Sequence, residues 1–113
     1  MVSEKKIIGL SEKVKIQGRD KVMDVQAKID TGATKSSIDF ELASQLKLGP
    51  VIKTKLVKSA SGNALRPVVK VDLTISGKEV NAEFTLADRN HLRYQILVGQ
   101  NILNKGFLID PSK

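Results

Sequence analysis

The chain has 113 residues, 41% of them hydrophobic and 27% charged, a balance that suits one folded domain (residues 1–113) better than a disordered segment. It has no cysteine and one histidine, His91, which excludes a disulfide framework, thiol catalysis and cysteine-ligated zinc or iron–sulfur sites. The formal charge is +7, but the lysines are scattered and aromatics make up only 4%, too few for stacking platforms, so a solvated basic surface is preferred to a nucleic-acid role.

Residues 1–10 carry no strong pattern and are expected to form a loosely ordered N-terminal segment. Val14 and Ile16 alternate with Lys13, Lys15 and Gln17, which predicts a half-buried strand. Gly18 to Lys21 reads as a turn. Val25, Ala27 and Ile29 alternate again and run straight into Asp30-Thr31-Gly32-Ala33. Ser36-Ser37-Ile38 reads as a short extended link. Asp39 is a suitable N-cap for a brief helix with Leu42, Ala43 and Leu46 on one face, stopped by Gly49-Pro50.

Ile52, Thr54 and Leu56 predict a further strand. The small, polar stretch from Ser59 to Ala64 predicts a hairpin tip. Val69 to Ile75 and Val80 to Leu86 alternate cleanly about Ser76-Gly77-Lys78-Glu79 and predict a paired hairpin. Ile96-Leu97-Val98 is a short apolar run that suits a strand buried on both faces. Asn101 to Lys105 predicts one or two helical turns closed by Gly106, and Phe107-Leu108-Ile109 a last strand. The sum is an all-β, mostly antiparallel domain of about seven strands, with one short helix and a C-terminal helical turn. Closure into a barrel is one way to protect its edges. No apolar run reaches the roughly 18 residues that span a bilayer. The first ten residues lack the apolar stretch of a signal peptide, so the expected location is cytoplasmic.

One motif carries chemistry. Asp30-Thr31-Gly32-Ala33 ends an apolar strand. On its own it reads equally as a turn, since Asp and Gly favour turns, or as a positioned carboxylate. With Ile96-Leu97-Val98-Gly99-Gln100-Asn101-Ile102-Leu103 downstream, the chain resembles the retropepsin family of single-domain aspartic proteases over roughly residues 14–110. It is more closely similar to a bacterial and archaeal retropepsin-like group often labelled ATP-dependent zinc protease. That likeness rests on Asp30 to Ala33 with Ser36-Ser37, on Arg66-Pro67-Val68-Val69, and on Phe84-Thr85-Leu86 with Arg89. It continues through Tyr94 to Gly99 and Phe107 to Asp110. The zinc of the label finds no His-Glu-x-x-His here, and its ATP no phosphate-binding Gly-rich loop, so neither a metal nor a cofactor is expected.

The resemblance implies a closed retropepsin-like (acid protease) barrel and an aspartic endopeptidase. Two carboxylates about 3 Å apart share one proton and activate a water. The seven aspartates and five glutamates include no second Asp-Thr-Gly, so the pair implies a homodimer in which each chain supplies Asp30. The implied catalytic set is Asp30, Thr31 and Gly32, with Thr31 bonding across the two-fold axis. Ala33 and a flap tip of Ser61, Gly62 and Asn63 would meet the peptide. Relatives in the second group resemble partners of ATP-grasp glutamate ligases that modify a ribosomal protein, which implies such a ligase or a ribosomal protein as partner. The alternative is a non-catalytic peptide-binding module on the same fold. The chain departs from the pattern at Thr34 and Lys35, where retroviral enzymes carry acids. It departs again at Gln100, where an Arg that supports the dimer is usual, and at the non-apolar Asp110-Pro111-Ser112-Lys113.

Overall fold

In the computed structural model, residues 4–59 and 62–113 are described. Among them the strands run β1 (Lys6–Ile8), β2 (Ser11–Gln17), β3 (Val22–Ile29), β4 (Ser36–Asp39), β5 (Val51–Ser59), β6 (Gly62–Ile75), β7 (Lys78–Ala87), β8 (Ile96–Val98) and β9 (Phe107–Ile109). Two short helices, α1 (Phe40–Gln45) and α2 (Gln100–Leu103), complete the set. Six strands close into a barrel in the order β2-β3-β8-β4-β7-β6, with β6 returning to β2. This is the expected all-β barrel.

β6 makes the closure work because it is long, at 14 residues. Its second half, Val68–Ile75, pairs with β7, and Asp72–Ile75 also pair with β2. Its first half leaves the barrel and pairs with β5, from Val51↔Val69 to Ser59↔Gly62. Residues 62–65 are exposed, so this arm shows no burial alternation, which is why periodicity places the strand start at Val69 instead. The two pairings that flank the Asp30 turn bring in parallel geometry: β3 lies parallel to β8, and β4 parallel to β7.

The core is built from the inward residues of the alternating strands. Val14, Ile16, Val69, Val71, Leu73, Ile75, Ile96 and Val98 are all buried in one cluster with Phe84, which is fully buried. Burying one such large side chain contributes roughly 1.5–3 kcal/mol. α1 begins where expected. The Asp39 carboxylate accepts from the N–H groups of Glu41 (3.1 Å) and Leu42 (3.4 Å). The helix stops at Gln45, before the expected Gly49-Pro50, with Lys47 in the left-handed region at φ 54°.

Two strands exceed the sequence expectation. β1 falls in the segment expected to be loose; it pairs in parallel with β9, and Ile8 is fully buried. Three residues are too few for periodicity to register. β4 falls where Ser36-Ser37-Ile38 reads as a short extended link, since three of its four residues are polar. Ser36 and Asp39 are nevertheless buried, and hydrogen bonds satisfy them. Leu97, expected to be buried, is half-exposed between the buried Ile96 and Val98. Among the described residues no helix is long and apolar enough to cross a membrane.

Candidate active site

The segment from Asp30 to Lys35 has to cross from β3 to β4, and β8 lies between them. It therefore arches over the end of β8, where α2 begins. The Asp30 N–H extends the β3–β8 ladder by donating to the Val98 carbonyl at 2.9 Å. The turn then closes on itself. Asp30 Oδ1 accepts from the Gly32 N–H at 2.9 Å, and the Asp30 carbonyl from the Ala33 N–H at 3.3 Å. A Cβ on Gly32 would lie 3.3 Å from Asp30 Oδ1, so any side chain there would press on the carboxylate.

α2 clamps this arch. The first N–H groups of a helix have no partner inside it. Here Gln100 N–H donates to the Ala33 carbonyl (2.8 Å) and Asn101 N–H to the Thr34 carbonyl (3.1 Å). The Gln100 side chain adds Nε2 to the Thr31 carbonyl at 2.7 Å. Behind the arch, buried Ser36 accepts from the Gly99 N–H (2.9 Å) and donates to Asn101 Oδ1 (2.7 Å). Asn101 Nδ2 continues to the Glu83 carbonyl at 2.9 Å, and Thr85 Oγ1 donates to the Ser36 carbonyl at 3.4 Å. Asp39 is held equally firmly: its Oδ1 accepts the Arg89 N–H at 2.8 Å, and Arg89 Nε donates to the Tyr94 carbonyl at 3.1 Å. Burial, followed by the charge of Arg66, lowers the proton affinity of the Arg89 guanidinium, while Asp39 and Asp30 oppose that shift.

An open cleft of about 430 Å³ lies between the arch and the β5–β6 hairpin. Gly32, Ala33, Thr34 and Lys35 line one side, and Lys55 to Lys58 with Arg66 the other. Four of its lining residues are cationic, Lys35, Lys55, Lys58 and Arg66, and none is acidic. A larger hollow, about 440 Å³, lies on the barrel wall around Lys15, Asp72 and Glu79. It contains no residue of the Asp30 turn, whereas the smaller cleft is lined by Gly32 and Ala33 of that turn but by neither Asp30 nor Thr31.

Asp30, Thr31, Gly32 and Ala33 thus sit together in one turn, with Asp30 half-buried and Thr31 and Gly32 exposed. Gly62 and Asn63 lie further out on the hairpin, opposite Ser59 and Lys58, and neither is among the residues lining the cleft. Gly62 has φ 121°. Ser61 falls outside the described residues. His91 Nδ1 is 3.9 Å from Asp88 Oδ1, both side chains largely exposed. Among the described residues no group of three His, Cys, Asp or Glu side chains is placed to hold a metal. Sequence reasoning did not single out Ser36, Thr85 and Asn101 as supports. Their signals are that all three fall within the stretches that carry the family resemblance and that polar residues stand where a strand and a helix face the barrel.

A family model described as RimB-like, "Retropepsin-like aspartic endopeptidase RimB", matches residues 41–113. The chain belongs to this RimB-like family. The match begins after the Asp30 turn and includes β8, α2 and the β5–β6 hairpin. It carries the RimB-like description, not the zinc-protease label. A "Probable alpha-L-glutamate ligase" of Desulfotalea psychrophila (strain LSv54 / DSM 12343) is 31% identical over 64 residues. That stretch is 56% of this chain but 14% of the relative, so the chain spans about a seventh of the curated protein it matches. Among solved structures, the chain is similar to Lpg0085, a protein of unknown function (DUF785) from Legionella pneumophila, with TM-score 0.66, 21% identity and coverage of 96% and 95% of the two chains. It is also similar to the Simian Foamy Virus (mac) protease (TM-score 0.62, 21% identity, 83% and 91%). The EIAV protease in complex with the inhibitor HBY-793 gives TM-score 0.68, 20% identity and coverage of 83% and 84%. These structures establish the RimB-like chain's fold as that of the retropepsins.

Proposed function

We propose that this RimB-like chain is a cytoplasmic aspartic endopeptidase that works as a homodimer and cuts extended, acid-rich peptides. The observation that carries this reading is the Asp30 turn. It is closed on its own carboxylate, clamped by α2, and followed directly by residues that line an open cleft facing the β5–β6 hairpin. Such clamping suits a group whose geometry must not relax during the reaction.

In the proposed reaction two copies of Asp30, one per protomer, share one proton. The ionised carboxylate takes a proton from a bound water as the water oxygen attacks the peptide carbonyl. The protonated partner gives its proton to the carbonyl oxygen. The tetrahedral species then collapses, the C–N bond breaks, and the leaving nitrogen takes up a proton from the pair. The substrate class follows from charge. Four cations and no acid line the cleft, and their field favours peptide carboxylates. The similarity to part of a protein named for glutamate ligation supports a setting in which glutamate-bearing chains are at hand. A glutamate ligase, or the ribosomal protein it modifies, is the partner this setting suggests.

Incubation with an unstructured glutamate-rich polypeptide tests the reading. Cleavage is expected, with loss of at least about a hundredfold in Asp30→Asn, the size expected when an acid–base group is removed. Melting should change little, because Asn retains an oxygen for the Gly32 N–H. The solution mass should show a dimer. Activity surviving in Asp30→Asn, or inhibition of the parent by chelators, would overturn the mechanism. Tight binding of the polypeptide with no cleavage would instead support the peptide-binding module.

A further inference from the structure

The cleft has a neighbour across Lys35. Lys35, Lys55 and Thr85 also line an adjoining second cavity of about 310 Å³, walled further by Lys53, Val68 and Glu83. Strand register explains the grouping. Lys53, Val68, Thr85 and Ser37 form one row across β5, β6, β7 and β4. Lys55↔Arg66 flanks that row on one side and Lys70↔Glu83 on the other. Cross-strand partners share a face, and so do residues two apart. Glu83 therefore shares its face with Lys53, Lys55, Arg66 and Lys70, and it is the sole acid among the residues lining either cavity.

Glu83 Oε1 is 3.0 Å from Lys53 Nζ, with the two side chains 27% and 54% exposed. The Lys53 hydrogen bond holds the Glu83 carboxyl below the usual carboxylate range against the effect of burial, and the charges of Lys35 and Lys70 act in the same direction. A carboxylate already occupies the place among these cations that an acidic peptide would need.

We propose that this second cavity is a carboxylate subsite of the peptide cleft, and that Glu83 is a specificity-determining residue that fills it until an acidic substrate side chain takes its place. The proposal rests on the reading of the cleft as an acid-peptide site. An incoming carboxylate replaces like with like at Lys53, while the displaced Glu83 turns to solvent and to its cross-strand neighbour Lys70. A neutral side chain offers Lys53 nothing and leaves the ion pair closed. The pair is half-open to water, where such pairs contribute little, so exchange is cheap and Glu83 acts as a filter, not a block.

Fluorescence anisotropy with labelled hexaglutamate and hexaglutamine tests this, in the Asp30→Asn background so that no turnover intervenes. Glu83→Gln should tighten hexaglutamate about threefold, the scale of one exposed ion pair, and leave hexaglutamine unchanged. Asp24→Asn alters the net charge equally but lies on β3, outside both cavities, and should change nothing at physiological salt. In a Lys53→Gln background Glu83→Gln should bring no gain. Weaker or unchanged hexaglutamate binding in Glu83→Gln would overturn the role of Glu83, and so would equal tightening by Asp24→Asn. Absence of hexaglutamate binding in the Asp30→Asn parent and in the Glu83→Gln variant alike would overturn the cleft reading along with it.

Discussion

Replacing Gly99 by alanine separates steric closeness from backbone strain at the clamp on the Asp30 turn. Gly99 has φ −106°, which any residue adopts, so conformational freedom is not the issue. The obstacle is space. A Cβ would lie 2.3 Å from the Lys35 carbonyl oxygen and 2.7 Å from that of Ala33, and both are backbone atoms with no rotamer to turn. The 33–35 arch must lift away from α2. Lifting it stretches the Gln100–Ala33 bond (2.8 Å), the Asn101–Thr34 bond (3.1 Å) and the Gly99–Ser36 bond (2.9 Å). Overpacking costs typically 1–3 kcal/mol, and each weakened hydrogen bond adds about 0.5–1.5 kcal/mol. A loss of about 3 kcal/mol is expected, read as a fall in Tm on the order of 10 °C for a domain of this size. Thermal unfolding followed by circular dichroism measures it. Peptide cleavage should fall further than stability explains, because the arch carries Asp30. A change under about 1 kcal/mol would show that the arch is not seated on α2 as described, and the clamp would have to be abandoned.

Ser36→Ala should destabilise by about 2 kcal/mol in urea unfolding, because it leaves the Gly99 N–H and Asn101 Oδ1 without their buried partner. Asp39→Ala should cost about 2–3 kcal/mol, since it removes the cap of α1 and the acceptor for the Arg89 N–H together; a loss confined to a few tenths would refute the cap. Phe84→Ala should cost about 3–5 kcal/mol as a core cavity. The pH dependence has a definite sign. Lys53 lowers the Glu83 pKa, and Ser112 lowers that of Asp110. Lowered carboxylates contribute stability that is present above the ordinary carboxylate range and lost as pH falls through their folded pKa values. Stability should therefore drop on acidification below about pH 4, and Glu83→Gln should flatten part of that drop. An unchanged acid limb in that variant would count against the ion pair.

What could be read in the sequence follows the kind of force each element depends on. β2, β3, β6 and β7 bury alternate Val, Ile and Leu, so period two betrays them directly. Asp39 is readable as a cap because the helix that follows presents Leu42, Ala43 and Leu46 on one face. β4 is opaque, since Ser36 and Asp39 are buried through hydrogen bonds to groups 50 to 65 residues away, and no local pattern records such partners. β1 depends on a parallel neighbour, β9, from the other end of the chain. The Asp30 turn is legible as a motif; the reason it holds its shape, the seat on α2, is not.

The cationic cleft shows why scattered charge in a sequence is a poor guide to charge on a surface. Lys35 comes from the arch, Lys55 and Lys58 from β5, and Arg66 from β6. No two of them are adjacent along the chain, and read in order they look like ordinary solvated positions. Antiparallel pairing places Lys55 opposite Arg66, and the arch over β8 brings Lys35 to the same opening. The same step gathers Glu83 among them from β7. The register of β5, β6 and β7 also concentrates the charge, so the affinity for acidic peptides proposed above would be set by pairing across those three strands. A variant that slipped the β5–β6 register by one residue would keep the composition and every charge of the protein. It would turn Lys53 and Lys55 to the other face, and selectivity for hexaglutamate should vanish while net charge stays at +7.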